Sequence, residues 1–152
     1  MRLSTKSRYG TRAMLDIAIN YEKGPVSVKS LAQRQDISVK YMEQLIPLLK
    51  LAGLIRSVRG AGGGYMLSKD ADQIKLRDII DALEGSIFPV DCVDNPETCD
   101  RAEKCVAHEL WKEIQDTINN MLGSLTLADM VKRQLKINKN LASKNNFCKT
   151  GT

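Results

Sequence analysis

Apolar side chains recur along this chain in two rhythms, and the change of rhythm marks out its elements. From Ser4 to about residue 22 they fall on a helical period. Tyr9, Ala13, Ile17 and Tyr21 share one face, with Met14 and Ala18 beside them. Ser4 is placed to cap this helix and Gly24-Pro25 to end it. A shorter helix over 27–35 turns Leu31 and Ala32 inward, with Ser27 as its cap. The QDIS stretch is a turn, and Ser38 caps a third helix running to about Leu51. That helix directs Met42, Leu45, Leu48 or Leu49, and Ala52 toward a core. Pro47 removes one of its backbone bonds and is expected to kink or loosen it. Gly53 suits the position just past its end. The period then shortens to two. LIRSVR alternates like a strand, GAGGG supplies a turn and YMLS a second strand. Helical spacing returns over 76–85 with Ile79, Ile80 and Leu83, and Gly85 closes it. Residues 86–106 carry no period. A long helix over 107–123 has its stripe at Leu110, Ile114, Ile118 and Met121, with Trp111 and Leu122 adjacent. Thr126 and Asp129 form a capping-box pair that opens a short last helix. Beyond Gln134 the chain is polar, and 136–152 is expected to be a disordered tail. There are no internal repeats.

Two helices joined by a short turn and followed by a hairpin make a winged helix-turn-helix. The expected fold is therefore mainly α with a small β-hairpin. The expected organisation is a DNA-binding domain over 1–86, a ligand-bearing loop over 87–106, a dimerisation helix and short C-terminal helix over 107–135, and the tail. In such units the second helix enters the major groove with its first turns at the base edges. Here those turns present Ser38, Lys40, Tyr41, Glu43 and Gln44. Gln44 can pair with adenine and Glu43 can accept from a cytosine amine. Ser38 and Lys40 suit phosphate. The wing carries Arg59 at its tip beside Gly60 and Gly62, and arginine entering a narrow minor groove is a common readout device. A solvated helix face and a plain glycine hairpin are the rival readings. A dinucleotide loop is excluded by spacing, because G-x-G-x-x-G would need glycine where Tyr65 stands, and no GK[ST] follows.

Charge supports the division. Residues 1–66 hold eleven Lys/Arg against four Asp/Glu, whereas 87–131 hold three against nine. The region expected to meet phosphate is basic, and the one that follows is not. The most apolar stretch, LIPLLKLAGLI, is too short to cross a bilayer and contains Lys50. The N-terminus has no apolar signal region, so a cytoplasmic protein is expected. In that compartment clustered cysteines are metal ligands or redox sensors rather than staples.

Such a cluster is present. Cys92, Cys99, Cys105 and His108 fall in the spacing Cys-x6-Cys-x5-Cys-x2-His. Structural zinc sites pair ligands more tightly than this. The wide gaps suit a loop around something larger than one ion, and histidine replaces cysteine in some two-iron centres. An iron–sulfur cluster leads, with zinc, a thiol switch and unmetallated cysteines behind it. His108 opens a long helix beside Trp111 and also reads as a structural histidine. Cys148 is isolated in the tail. Asp91, Asp94, Glu97, Asp100 and Glu103 make the ligand loop acidic, so it should act on DNA only through the reading domain.

MRLSTKSRYG, YMEQLIPLLKLAGLI, VRGAGGGYMLSKD and CVAHELWKEI together resemble the winged-helix regulators of iron–sulfur cluster biogenesis, the IscR type, over about residues 1–133. The resemblance implies a dimeric transcription factor whose cluster is held by Cys92, Cys99, Cys105 and His108. It places the recognition helix at Ser38–Leu51 and the wing at Arg56–Leu67. The chain departs from that type in having six residues rather than five between the first two cysteines, and in Pro47. The histidine-ligated branch favours a 2Fe-2S centre, and 4Fe-4S stays open because a nitric-oxide-sensing branch holds a four-iron cluster on three cysteines with another fourth ligand. The expectation is a cluster-dependent repressor that binds double-stranded DNA as a homodimer on a near-palindromic operator, with no membrane and no small-molecule substrate. The alternative is a metal- or cluster-carrying redox partner with no specific DNA target. A cluster-free regulator governed by a partner protein sits poorly with three clustered cysteines. One histidine, no nucleophile motif and no phosphate loop leave few parts for an enzyme.

Overall fold

Ser4 adopts an extended backbone and its hydroxyl accepts from the Lys6 N–H at 3.0 Å, satisfying a donor that the start of a helix leaves free. In this computed structural model, which describes residues 3–85, 87 and 89–147 (the backbone alone for 143–147), the first helix α1 spans Thr5–Ile19. Its buried face runs through Gly10, Ala13, Met14 and Ile17. Tyr9 is half-buried, and Tyr21 lies 42% exposed in a separate 3-10 turn, Tyr21–Lys23. The stripe read from the sequence is thus centred a little off the face that packs.

Ser27 and Ser38 cap α2 (Val28–Gln35) and α3 (Val39–Leu51) through their hydroxyls, as their positions predict. The turn between them places Asp36 in the left-handed region at φ 53°. α3 is continuous across Pro47, which is exposed, so water can serve the carbonyl that its missing N–H leaves unpaired. Met42, Leu45, Ile46 and Leu49 are its buried positions, while Ala52 is exposed.

The hairpin pairs β1 (Ile55–Val58) with β2 (Gly64–Leu67), antiparallel, with Ile55 opposite Leu67 and Val58 opposite Gly64. Val26 adds a bridge to Tyr65, with reciprocal backbone bonds of 2.9 Å. This bridge ties the wing to the chain just ahead of α2. α4 (Leu76–Glu84) buries Ile79, Ile80 and Leu83. One core joins Met14 and Ile17 of α1, Leu31 of α2, Met42, Leu45 and Leu49 of α3, and Ile74, Ile79 and Leu83 around α4. Burying each such side chain stabilises the fold by roughly 1.5–3 kcal/mol.

Asp16 is a buried charge that periodicity does not reveal. It is 8% exposed and accepts from Arg34 Nε at 2.8 Å and from its terminal nitrogen at 2.7 Å, with Gln35 and Asn20 completing its shell. The hydrogen bonds to Asp16 raise the Arg34 pKa against the opposing effect of burial. The network locks α1 to α2.

The segment read as irregular contains single turns: α5 (Asp91–Asp94) and 3-10 turns at Pro96–Thr98 and Ala102–Lys104. α6 (Val106–Ser124) follows and packs on α4 and α5. The chain then returns to the core. Leu76 N–H donates to Leu125 at 2.9 Å, Leu127 N–H donates to Ile74 at 2.8 Å, and Leu127 is fully buried. The Thr126–Asp129 capping box forms in both directions at 3.1 Å, and α7 (Leu127–Phe147) starts there. α7 is not short, and it runs through most of the stretch expected to be a disordered tail. Its first turns rest on α1, and once a helix is nucleated each further residue adds a bond at small cost. Glycine is absent from 124–150 and proline from everything beyond Pro96, so nothing in the sequence stops it. Cys148 lies outside the described residues.

Candidate nucleic-acid interface and metal-ligating loop

Ser38, Lys40, Glu43 and Gln44 are all exposed on the outer face of α3, opposite the buried Met42 and Leu45. Ser38 Oγ accepts from the Tyr41 N–H at 3.1 Å as the cap, leaving its proton free for a phosphate oxygen. Tyr41 is placed differently from its neighbours. Half-buried, it donates its hydroxyl to Thr5 Oγ1 at 3.0 Å and meets the Tyr9 ring edge-on at 6.0 Å. Its polar end is therefore engaged by α1 rather than offered outward.

Arg59, Gly60 and Gly62 are exposed at the wing tip. Gly60 has φ 117°, a conformation that side chains rarely adopt. Gly63 is required for a different reason, since a Cβ there would stand 2.5 Å from the Val58 carbonyl. The run of glycines is thus partly the geometry of a tight turn, and Gly62 has open space around it.

The first turns of α1 extend this basic surface beyond the residues that the helix-turn-helix and wing motifs mark. Lys6, Arg8 and Arg12 are exposed, and the Arg8 and Arg12 guanidinium carbons lie 4.8 and 5.7 Å from the Tyr9 ring centroid. The available signal was three bases within seven residues of the first helix.

The cysteines lie on the successive turns of the loop. Cys92 is in α5, Cys99 follows the Pro96–Thr98 turn, and Cys105 sits at the position just ahead of α6, its side chain making no capping hydrogen bond. All three are unpaired thiols, half-buried. Cys105 and His108 line one cavity of about 350 Å³, which Pro96, Lys104 and Lys112 border. Cys92 and Cys99 do not line it. Among the described residues no three His, Cys, Asp or Glu side chains stand close enough to hold one metal ion. The donor chemistry nonetheless fits an iron–sulfur centre. It offers three soft thiols and an imidazole whose Nδ1 is buried without a hydrogen-bond partner. A buried polar atom left unpaired is costly, and a ligand would satisfy it. Asp91, Asp94, Glu97, Asp100 and Glu103 are exposed around the loop and repel a duplex.

Residues 3–133 match the profile of a family described as Rrf2, iron-dependent transcriptional regulator. The chain is 42% identical over 134 residues to the HTH-type transcriptional regulator IscR of Cronobacter sakazakii, spanning 88% of this chain and 82% of that one. It is 41% identical to the regulator of the same name from Xenorhabdus nematophila, spanning 88% and 81%. Among solved structures it is similar to CymR, the global cysteine regulator of B. subtilis, with a TM-score of 0.74 at 41% identity over 88% of this chain and 98% of that one. T. potens IscR gives a TM-score of 0.72 at 42% identity, over 88% of each. No helix among the described residues is long and apolar enough to cross a membrane.

Proposed function

Because this chain belongs to the Rrf2 family of iron-dependent transcriptional regulators, we propose that it is an iron–sulfur-cluster-dependent repressor that binds a near-palindromic operator as a homodimer. It is a transcriptional regulator and not an enzyme. A carrier with no DNA target is not favoured, since the family match runs through the winged helix as well as the cysteines.

One observation carries the reading. α4, packed on the reading helix α3, leads within a few residues into a loop with three free thiols and a buried, unpartnered imidazole nitrogen. Cys92, Cys99 and Cys105 would hold the cluster and His108 would complete its coordination. When bound, such a centre supplies iron–thiolate bonds that respond to iron supply and oxidants. The chain's own residues do the rest. Lys40 and Ser38 neutralise or bond phosphate, Gln44 and Glu43 read base edges in the major groove, and Arg59 enters the minor groove with Gly60 and Gly62 allowing close approach. Tyr41 sets the angle of α3 from behind.

Dimerisation is supported by α6. Val106 (81% exposed), Leu110 (50%), Ile114 (36%) and Met121 (59%) form an apolar stripe turned away from the chain's own core, with Trp111 beside it. A two-fold pairing of these stripes would present two α3 helices to successive turns of the major groove. Ligation would order residues 90–108 between α4 and α6 and so change the tilt or spacing of the two reading heads.

Protein prepared without oxygen should contain iron and acid-labile sulfide. Two irons per chain would support a histidine-containing 2Fe-2S centre, and four would support the three-cysteine branch. Cys99→Ala should lose both elements and bind operator with one affinity whatever the iron supply. Colourless wild-type protein after reconstitution, or a Cys99→Ala protein that still follows iron, would refute the reading.

A further inference from the structure

The last turn of α4 is fastened to the first turns of α1 at a single oxygen. Glu84 Oε1 accepts from the Ser4 backbone N–H at 2.8 Å, the Ser4 hydroxyl at 2.5 Å and the Ser7 hydroxyl at 2.5 Å. Ser7 is 2% exposed, so its hydroxyl has no water to turn to. The helices meet closely beside this joint, since a Cβ on Gly10 would collide with the Leu83 methyls. Burial disfavours the Glu84 charge, but the donors from Ser4 and Ser7 outweigh it and hold the carboxyl below its ordinary range. The same turns of α1 hold the reading helix from the other side, through the Tyr41–Thr5 hydrogen bond and the Tyr9–Tyr41 ring contact. Glu84 is also the last residue of α4, with Gly85 and then the loop of the cysteines directly after it.

We infer that Glu84, gripped by Ser4 and Ser7, is the positioning residue through which the cysteine loop sets the attitude of the recognition helix. The inference rests on the cluster-dependent reading above and names its route. α3 also touches α4 directly, but apolar packing has no preferred direction and tolerates sliding. Three donors converging on one carboxylate oxygen do not, because hydrogen bonds weaken steeply off their geometry. When ligation shifts the loop, the end of α4 moves, the joint carries α1 with it, and Thr5 and Tyr9 turn Tyr41 at the head of α3. A purely structural role for Glu84, as a cap of α1, would instead support both forms of the protein equally.

The test compares operator affinity of the cluster-loaded and cluster-free protein, at one salt concentration, in wild type, Ser7→Ala, Glu84→Gln and Tyr41→Phe, with iron content measured on each sample. A wild-type ratio of about 5 to 150 is expected, falling to about 2 or less in each variant while iron per chain stays at the wild-type value. Tyr41→Phe leaves the α1–α4 joint intact, so loosening of that joint cannot explain its effect. Affinities that fall in parallel in both forms, with the ratio preserved, would overturn the route while leaving cluster-dependent binding standing. A wild-type ratio of one would overturn both.

Discussion

At the scale of single residues, Arg59 and Glu84 illustrate two kinds of dependence. Arg59 is exposed on a glycine-built tip and nothing in the fold needs its charge. Arg59→Ala should therefore leave stability unchanged and weaken operator binding by about 1–3 kcal/mol for each base that the arginine reads. Equal weakening on operator and random duplex would reduce its role to holding phosphate. Glu84 is tied to stability through its ionised form. Its carboxyl is held below the ordinary value, so its contribution is fully present above that value and fades as pH falls through the lower, folded one. Glu84→Gln should thus unfold at a lower temperature than wild type near neutral pH, with the gap narrowing in acid. A gap that is constant from neutral pH to about pH 3 would show that the charge plays no part. Neither the Glu84 joint nor the buried Asp16–Arg34 pair was legible in the sequence. A charged side chain in a helical pattern reads as solvent-facing, and only the packed partner, far along the chain, reveals otherwise. The outward positions of α3 were legible because Met42 and Leu45 fix the opposite face. Tyr41 was read with them, yet its amphipathic side chain turns its hydroxyl to Thr5.

At the scale of elements, serine caps located the starts of α1, α2 and α3, because capping is a local hydrogen-bonding requirement. α1, by contrast, ends at Ile19, short of the Gly24-Pro25 stop read for it, and a separate 3-10 turn fills the gap. The hairpin was equally plain, since alternation and a glycine run rarely have another use. α7 was misjudged because low apolar content was read as disorder, whereas its first turns are anchored by the fully buried Leu127 and by the capping box. The cysteine loop was legible in its ligand types but not in its path, which consists of single turns with no periodic signal. α6 shows most clearly what an isolated chain leaves unresolved. Of its predicted stripe, Leu110, Ile114 and Met121 are turned outward, joined by Val106, while Ile118 is half-buried. If α6 forms the proposed dimer, Ile114→Lys should sediment as a monomer where wild type sediments as a dimer and should bind operator more weakly, because one reading head loses the cooperation of the other. A variant that remains dimeric would move the interface elsewhere.

At the scale of the molecule, charge and chemistry are separated along the chain. A basic winged helix, broadened by the exposed Lys6, Arg8 and Arg12, is followed by an acidic loop bearing the thiols, and in the proposed complex the first would meet the duplex and the second would not. α4 packs on both α3 and α6, so on the proposed reading a change at the cysteines would reach DNA as a movement of helices rather than by touching the duplex. That division is the central claim, and one titration addresses it. Operator affinity is measured on a single anaerobic preparation before and after its iron and sulfide are removed. The account predicts a change of about 5- to 150-fold, with binding to random duplex moving far less. The same operator affinity in both states would contradict it.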